Sequence, residues 1–192
     1  MSTPQEQFWA GDFGNSYTER NRVNWLDRVP FWTRIVGFTG AQSVLEVGCN
    51  CGWNLLAIRT ANPGAYLKGI DVNEQALAQA ERFGLVTEKT TAPAMVNGYT
   101  FDLVFTAGCL IHVSPESLPE TMRAIKSLSS RYVLAVEYEA DNDEEIDYRG
   151  HAERLWKRPY GKLYEEMGLK LIDSGDAGEG FDRCTFWLLE KP

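Results

Sequence analysis

Apolar residues fall into short runs separated by polar, turn-forming stretches. Four runs, SVLEVG (43–48), AYLKGIDV (65–72), FDLVFTAG (101–108) and RYVLAVEYE (131–139), are rich in β-branched and aromatic residues and end in turn or polar residues, as buried strands do. Two more strands are expected at LKLIDSG (169–175) and RCTFWLLE (183–190), and a short one near Val86. Helical stretches lie between them: WNLLAIRTA (53–61), NEQALAQAERF (73–83) with Asn73 placed to cap it, ESLPETMRAIKSLSS (116–130) and ERLWKRPYGKLYEEM (153–167). This alternation predicts an α/β fold with a mainly parallel sheet and helices on both faces. Too few residues separate the last two strands for a helical crossover, so they should form an antiparallel hairpin. The first forty residues are rich in aromatics, Arg and Asn, and read as a helical segment that packs on one sheet face or forms a lid over a pocket. Without an internal repeat or linker, residues 1–192 are expected to form a single domain, with the N-terminal segment at 1–40 and the core at 41–192.

Composition narrows the function. The chain has 192 residues, 44% of them hydrophobic, which suits a substantial core. Its net charge of −8 disfavours attraction to a phosphate backbone, so a small-molecule partner is expected and a nucleic acid is not. No apolar run approaches the roughly 18 residues of a membrane span, and the N-terminus has no secretory pattern. Four cysteines, at 49, 51, 109 and 184, lack the spacing of a disulfide framework. A cytoplasmic location is expected. A zinc site would need four suitable ligands, and a Cys-x-Cys pair inside a strand-to-helix turn is poor geometry for one; no metal is expected, and the thiols read as small apolar fillers.

The chemistry concentrates where strands end. In VLEVGCNCGWN (44–54), Glu46, Gly48, Asn50 and Gly52 alternate as an acidic residue and three turn positions, with Asn in place of the middle glycine. Such a strand-to-helix turn leaves unpaired N–H groups beside a crevice, and Asn tolerates left-handed dihedrals. Asp71 ends the next strand, where a carboxylate can accept hydrogen bonds from both ribose hydroxyls. The pair points to a nucleoside cofactor. NAD would place a pyrophosphate against the turn and its acidic Glu46; S-adenosylmethionine, with an amino group, a sulfonium and no phosphate, fits better. His112 follows Gly108 past the third strand and is a candidate proton acceptor for an attacking hydroxyl or amine. Glu137 and Tyr138 end the fourth strand at the same crevice. The segment DYRGHAERLWKRPYG supplies Tyr148, Arg149, His151 and Arg158, and the N-terminal segment Tyr17, Arg20 and Arg22, an Arg-rich set suited to carboxylate or phosphate.

Over nearly its whole length the chain resembles the pseudaminic acid biosynthesis-associated methyltransferases, within the class I S-adenosylmethionine-dependent group. The likeness is carried by EQFWAGDFGNSYTERN, VLEVGCNCGWNL, FDLVFTAGCLIHVSPESLP, YVLAVEYE, YRGHAERLWKRPYG and FWLLEK. The first and fifth are its specific segments. In that family Asn holds the middle glycine position, and Gly52 and Asn54 recur. The resemblance implies a Rossmann-like fold of seven strands with an N-terminal helical lid, and methyl transfer to the oxygen or nitrogen of a small polar, anionic acceptor such as a nonulosonic sugar or its nucleotide-activated form. TTAPAMVNG lacks the Asp that many methyltransferases direct at the adenine amino group, which leaves that contact to backbone near Ala94 or Met95.

The resulting expectation places the cofactor against Trp9, Glu46, Gly48, Asn50, Gly52, Asp71, Val72, Met95 and Gly108. His112 serves catalysis, and Tyr17, Arg20, Tyr138, Tyr148, Arg149 and His151 serve the substrate. The alternatives are a non-catalytic module that binds S-adenosylmethionine or S-adenosylhomocysteine and, more remotely, an NAD-dependent enzyme.

Overall fold

The computed structural model describes residues 2–96 and 98–192. Its N-terminal segment is helical: α1 (Pro4–Ala10), α2 (Asp12–Arg20), a 3-10 turn (Trp25–Arg28) and α3 (Val29–Thr39). Thr3 and Glu6 close a capping box at the start of α1: the Glu6 N–H donates to Thr3 Oγ1 at 3.1 Å and the Thr3 N–H to Glu6 Oε2 at 2.8 Å. The alternating part follows as β1 (Ser43–Val47), α4 (Trp53–Ala61), β2 (Tyr66–Asp71), α5 (Glu74–Arg82), β3 (Val86–Lys89), α6 (Ala92–Met95), β4 (Phe101–Ala107), α7 (Leu118–Leu128) and β5 (Ser129–Glu137). The chain ends with β6 (Glu144–Tyr148), β7 (His151–Lys157), α8 (Tyr160–Glu166), β8 (Lys170–Asp176) and β9 (Thr185–Glu190).

Seven strands form one sheet in the order β3-β2-β1-β4-β5-β9-β8. Strands β1 to β5 pair in parallel; β9 runs antiparallel to both β5 and β8, which is the expected terminal hairpin. Alternate residues of each strand serve opposite cores. Val44, Leu103, Phe105 and Leu134 pack with α3 and α4, while Leu45, Val104, Val133 and Ala135 pack with α7 and α8. Both faces are therefore covered, and the central strands read as nearly continuous apolar runs. Chain order reverses between β1 and β4, so a crevice opens at their carboxyl ends.

One expected element is different. Residues 153–157 belong to β7 and not to a helix; α8 begins only at Tyr160. Strands β6 and β7 form a separate two-stranded sheet, with Tyr148 opposite His151. The two residues between them, Arg149 (φ 56°) and Gly150 (φ 81°), both take positive φ, the requirement of a tight hairpin turn that matches strand twist. Pro159 then disfavours helical backbone at Arg158 and separates β7 from α8.

Candidate active site

The crevice at the carboxyl ends of β1, β2 and β4 is a cavity of about 230 Å³. Its floor is the β1–α4 turn. Gly48 (φ 75°) and Gly52 (φ 77°) are left-handed, and Asn50 (φ 46°) takes the same region, as Asn in the middle position allows. Gly48 has a second constraint: a β-carbon there would collide with the side chain of Cys109. Cys49 and Cys51 are buried, and Cys49 packs against the bare Cα of Gly69.

Asp71 ties this turn to β2. Its Oδ2 accepts from the Asn50 N–H and its Oδ1 from the Asn73 N–H, each at 2.8 Å. Burial raises its pKa, and these backbone donors oppose that rise. The N-terminal helices are fastened to the same loops. Asn73 Nδ2 donates to the Trp9 carbonyl (2.9 Å) and to Asn15 Oδ1 (3.0 Å), and Asn50 Nδ2 donates to Thr18 Oγ1 (3.1 Å). Trp9 and Tyr17 thereby form a roof over the cavity they line.

A polar network fills the β1 side. Glu46 is 1% exposed; its Oε1 accepts from Asn54 Nδ2 at 2.7 Å, and its Oε2 is buried without a partner among the described residues. Asn54 Oδ1 in turn accepts from Arg28 (2.9 Å) and from Trp32 Nε1 (3.3 Å). Arg28 also donates to the Gly180 carbonyl at 2.9 Å and lies over the Phe181 ring. Among the described residues it forms no ion pair. Burial pushes the Glu46 carboxyl up to about 8, against the Asn54 hydrogen bond and the Arg28 charge. Burial likewise lowers the Arg28 pKa, with Glu46 opposing. Sequence reasoning missed Arg28 as a site residue; the only available signal was an Arg directly before the apolar run of α3.

At the β4 end, His112 closes a 3-10 turn, Leu110–His112. Its Nδ1 lies 2.6 Å from the Arg154 carbonyl. A carbonyl only accepts, so Nδ1 carries the proton and Nε2 keeps its lone pair. Burial holds the His112 pKa down at about 4, so the ring is neutral near pH 7. Trp9 covers the ring with centroids 4.4 Å apart, and Tyr148 lies 5.0 Å away.

The structure therefore brings Trp9, Tyr17, Glu46, Gly48, Asn50, Asp71, Val72, Gly108 and His112 to one cavity wall. It places other expected residues elsewhere. Gly52 caps α4 below the cavity. Met95 is buried in the apolar core and does not line the cavity, whereas Ala92 and Pro93 do. Arg20 is exposed and stacks on Phe13 and Tyr17. His151 is exposed and packs edge-on against Phe8 and Phe13. Arg149 lies at the exposed β6–β7 turn. Tyr138 donates to Asp182 at 2.8 Å, outside the cavity. Tyr148 stands behind the rings of Trp9 and His112 and is not among the cavity-lining residues.

Residues 44–130 match the family described as methyltransferase domain. No curated protein matches the sequence. Among solved structures, a Burkholderia thailandensis 1,6-didemethyltoxoflavin N1-methyltransferase, crystallised with its substrate and S-adenosylhomocysteine, is similar with a TM-score of 0.77 at 18% identity, over 100% of this chain and 91% of that one. A Synechocystis magnesium protoporphyrin IX methyltransferase with bound S-adenosylhomocysteine gives 0.75 at 14% identity, over 97% and 98%. The sugar N-methyltransferase KedS8 from Streptoalloteichus gives 0.70 at 14%, over 95% and 93%. The seven-stranded sheet with its reversed terminal hairpin is the Rossmann-like fold of these proteins.

Proposed function

We propose that this chain, an S-adenosylmethionine-dependent methyltransferase of class I, methylates an oxygen or nitrogen of a small polar acceptor held between the β4 end and the roof of N-terminal helices. The observation that carries the reading is one cavity, at the β1/β4 switch point, lined by Arg28, Glu46 and Asp71 together. These charges match the cofactor's ends. Arg28, partly buried and without an ion pair among the described residues, would hold the carboxylate. Glu46 Oε2, buried without a partner among the described residues, would take the amino group. Asp71 would accept from the ribose hydroxyls, and Val72 with Thr90–Pro93 would flank the base. A pyrophosphate would face the carboxyl groups of Glu6 and Asp71 and the buried Glu46 carboxyl against one guanidinium, which disfavours NAD.

When bound, S-adenosylmethionine supplies an electrophilic methyl group on a sulfonium. The protein's own contribution is alignment and exclusion of water, an effect that can reach roughly 7–11 kcal/mol. Trp9 and Tyr17 close the cavity from above. His112 presents Nε2 as a hydrogen-bond acceptor, so it orients a hydroxyl or amine and receives its proton as the new bond forms.

An anionic sugar of the nonulosonic type, or its nucleotide-activated form, is the finer reading of the acceptor. The family resemblance supports it. Release of S-adenosylhomocysteine over a panel of sugar acids, their carboxamides and amino sugars tests both levels. Turnover only with sugar acids supports the finer reading. Turnover with neutral acceptors alone removes it. Cofactor binding with no release across the panel favours a non-catalytic binding module.

A further inference from the structure

Two buried charged side chains that do not line the cavity close on the turn that carries His112. The Glu137 carboxylate, at the end of β5, accepts from three consecutive backbone N–H groups: Cys109 (3.2 Å) and Leu110 (3.1 Å) on Oε1, and Ile111 (3.3 Å) on Oε2. Arg158, directly after β7, donates through one terminal nitrogen to the carbonyls of Leu110 (3.3 Å) and Val113 (3.1 Å). Both residues are 0% exposed. They form no ion pair with each other; Arg158 pairs instead with the half-exposed Asp143 at 3.3 Å.

Burying a charge is costly unless it is paired or fully hydrogen-bonded. Here the Glu137 carboxyl and the Arg158 guanidinium are both directed at the backbone of one five-residue stretch, 109–113, one at its N–H groups and one at its carbonyls. A turn of a single 3-10 repeat has little stability of its own, since its first N–H groups and last carbonyls lack internal partners. The third fastening is His112 itself, through Nδ1–H to the Arg154 carbonyl.

We propose that Glu137 and Arg158 are positioning residues that lock the 109–113 turn and thereby fix the His112 ring with Nδ1–H on the Arg154 carbonyl and Nε2 turned to the cavity. A carboxylate suits this task where an amide does not. Glutamine would offer one accepting oxygen and turn its NH₂ toward the remaining N–H donor. The inference rests on the proposed role of His112, but the clamp can be tested without any acceptor.

The test is side-chain NMR of the two histidines in the full chain, with exposed His151 as the internal reference. In the wild type, His112 is expected as the Nδ1–H tautomer, staying neutral down to about pH 4. In Glu137→Gln and in Arg158→Lys, the His112 midpoint should rise by at least one pH unit and the tautomer signal should become mixed, with S-adenosylmethionine affinity within about threefold. An unchanged His112 midpoint and tautomer in a folded variant overturns the proposal. If both variants fail to fold, amide exchange in the wild type decides. The Cys109, Leu110 and Ile111 amides should exchange as slowly as those of β4; exchange at loop rates overturns the clamp. Full turnover in His112→Ala would remove the catalytic role and leave the clamp result standing, so the two failures are distinguishable.

Discussion

With the cofactor's amino group at Glu46, as proposed, binding becomes a proton-linked event. In the free protein its carboxyl is pushed up to about 8 by burial, with Asp71 adding to the rise and Arg28 and Asn54 opposing it. The cofactor's amino group requires the ionised form, so Glu46 must lose its proton as the cofactor binds. Below pH 8 the ionised fraction rises roughly tenfold per pH unit, equivalent to about 1.4 kcal/mol of binding free energy per unit. The dissociation constant for S-adenosylmethionine should therefore fall about tenfold from pH 6 to pH 7. It should level off near pH 8, where a free α-amino group itself begins to deprotonate, at a pKa of about 7.7–8.0. Calorimetry at pH 6.5 in two buffers of different ionisation enthalpy should report about one proton released per cofactor bound. His112, neutral throughout this range, contributes none. Glu46→Gln should abolish both the release and the pH slope. A buffer-independent enthalpy with a flat affinity profile in the wild type would refute the placement of the amino group at Glu46.

Arg28→Met should weaken S-adenosylmethionine binding by roughly ten- to a hundredfold through loss of a charge-assisted contact, measured by calorimetry, while Arg20→Met should leave it near wild type. His112→Ala should lower turnover at least tenfold with cofactor affinity near wild type, and Asp71→Ala should do the reverse, weakening binding first. Gly48→Ala should lower the melting temperature, because the new methyl meets Cys109 and the backbone is left-handed; Cys109→Ala in the same chain should restore part of the loss. The free protein should lose stability as pH rises from 6.5 to 8. Folded Glu46 and Glu137 still bind protons there, at about 8 and about 7, while unfolded glutamates have already lost theirs, so the slope is negative; Glu46→Gln should flatten it.

What could be read from the sequence depended on how local each signal was. The strands, most helices and the terminal hairpin follow from periodicity and turn residues, which act over a few positions. The left-handed Asn50 and the carboxylate ending β2 were legible for the same reason: turn chemistry and strand ends are written locally. The β6–β7 hairpin was not. Its residues also fit a helical pattern, and Arg149, unlike Asn or Asp, is no strong signal for a positive φ in a two-residue turn.

The sequence by itself determined the left-handed turn after β1 and the carboxylate that ends β2, because turn residues and strand ends act over a few positions. Only the tertiary structure decided which charges complete that site. Arg28 meets Asn54 across 26 positions, Asn73 meets the Trp9 carbonyl across 64, and Arg158 meets the Val113 carbonyl across 45. A side chain's partner at such separations is set by how helices pack on the sheet, and a surface arginine and a buried one look alike until that packing is known. That is why Arg20, near the right place in the chain, stacks on the outside of the roof, while Arg28 reaches the cavity.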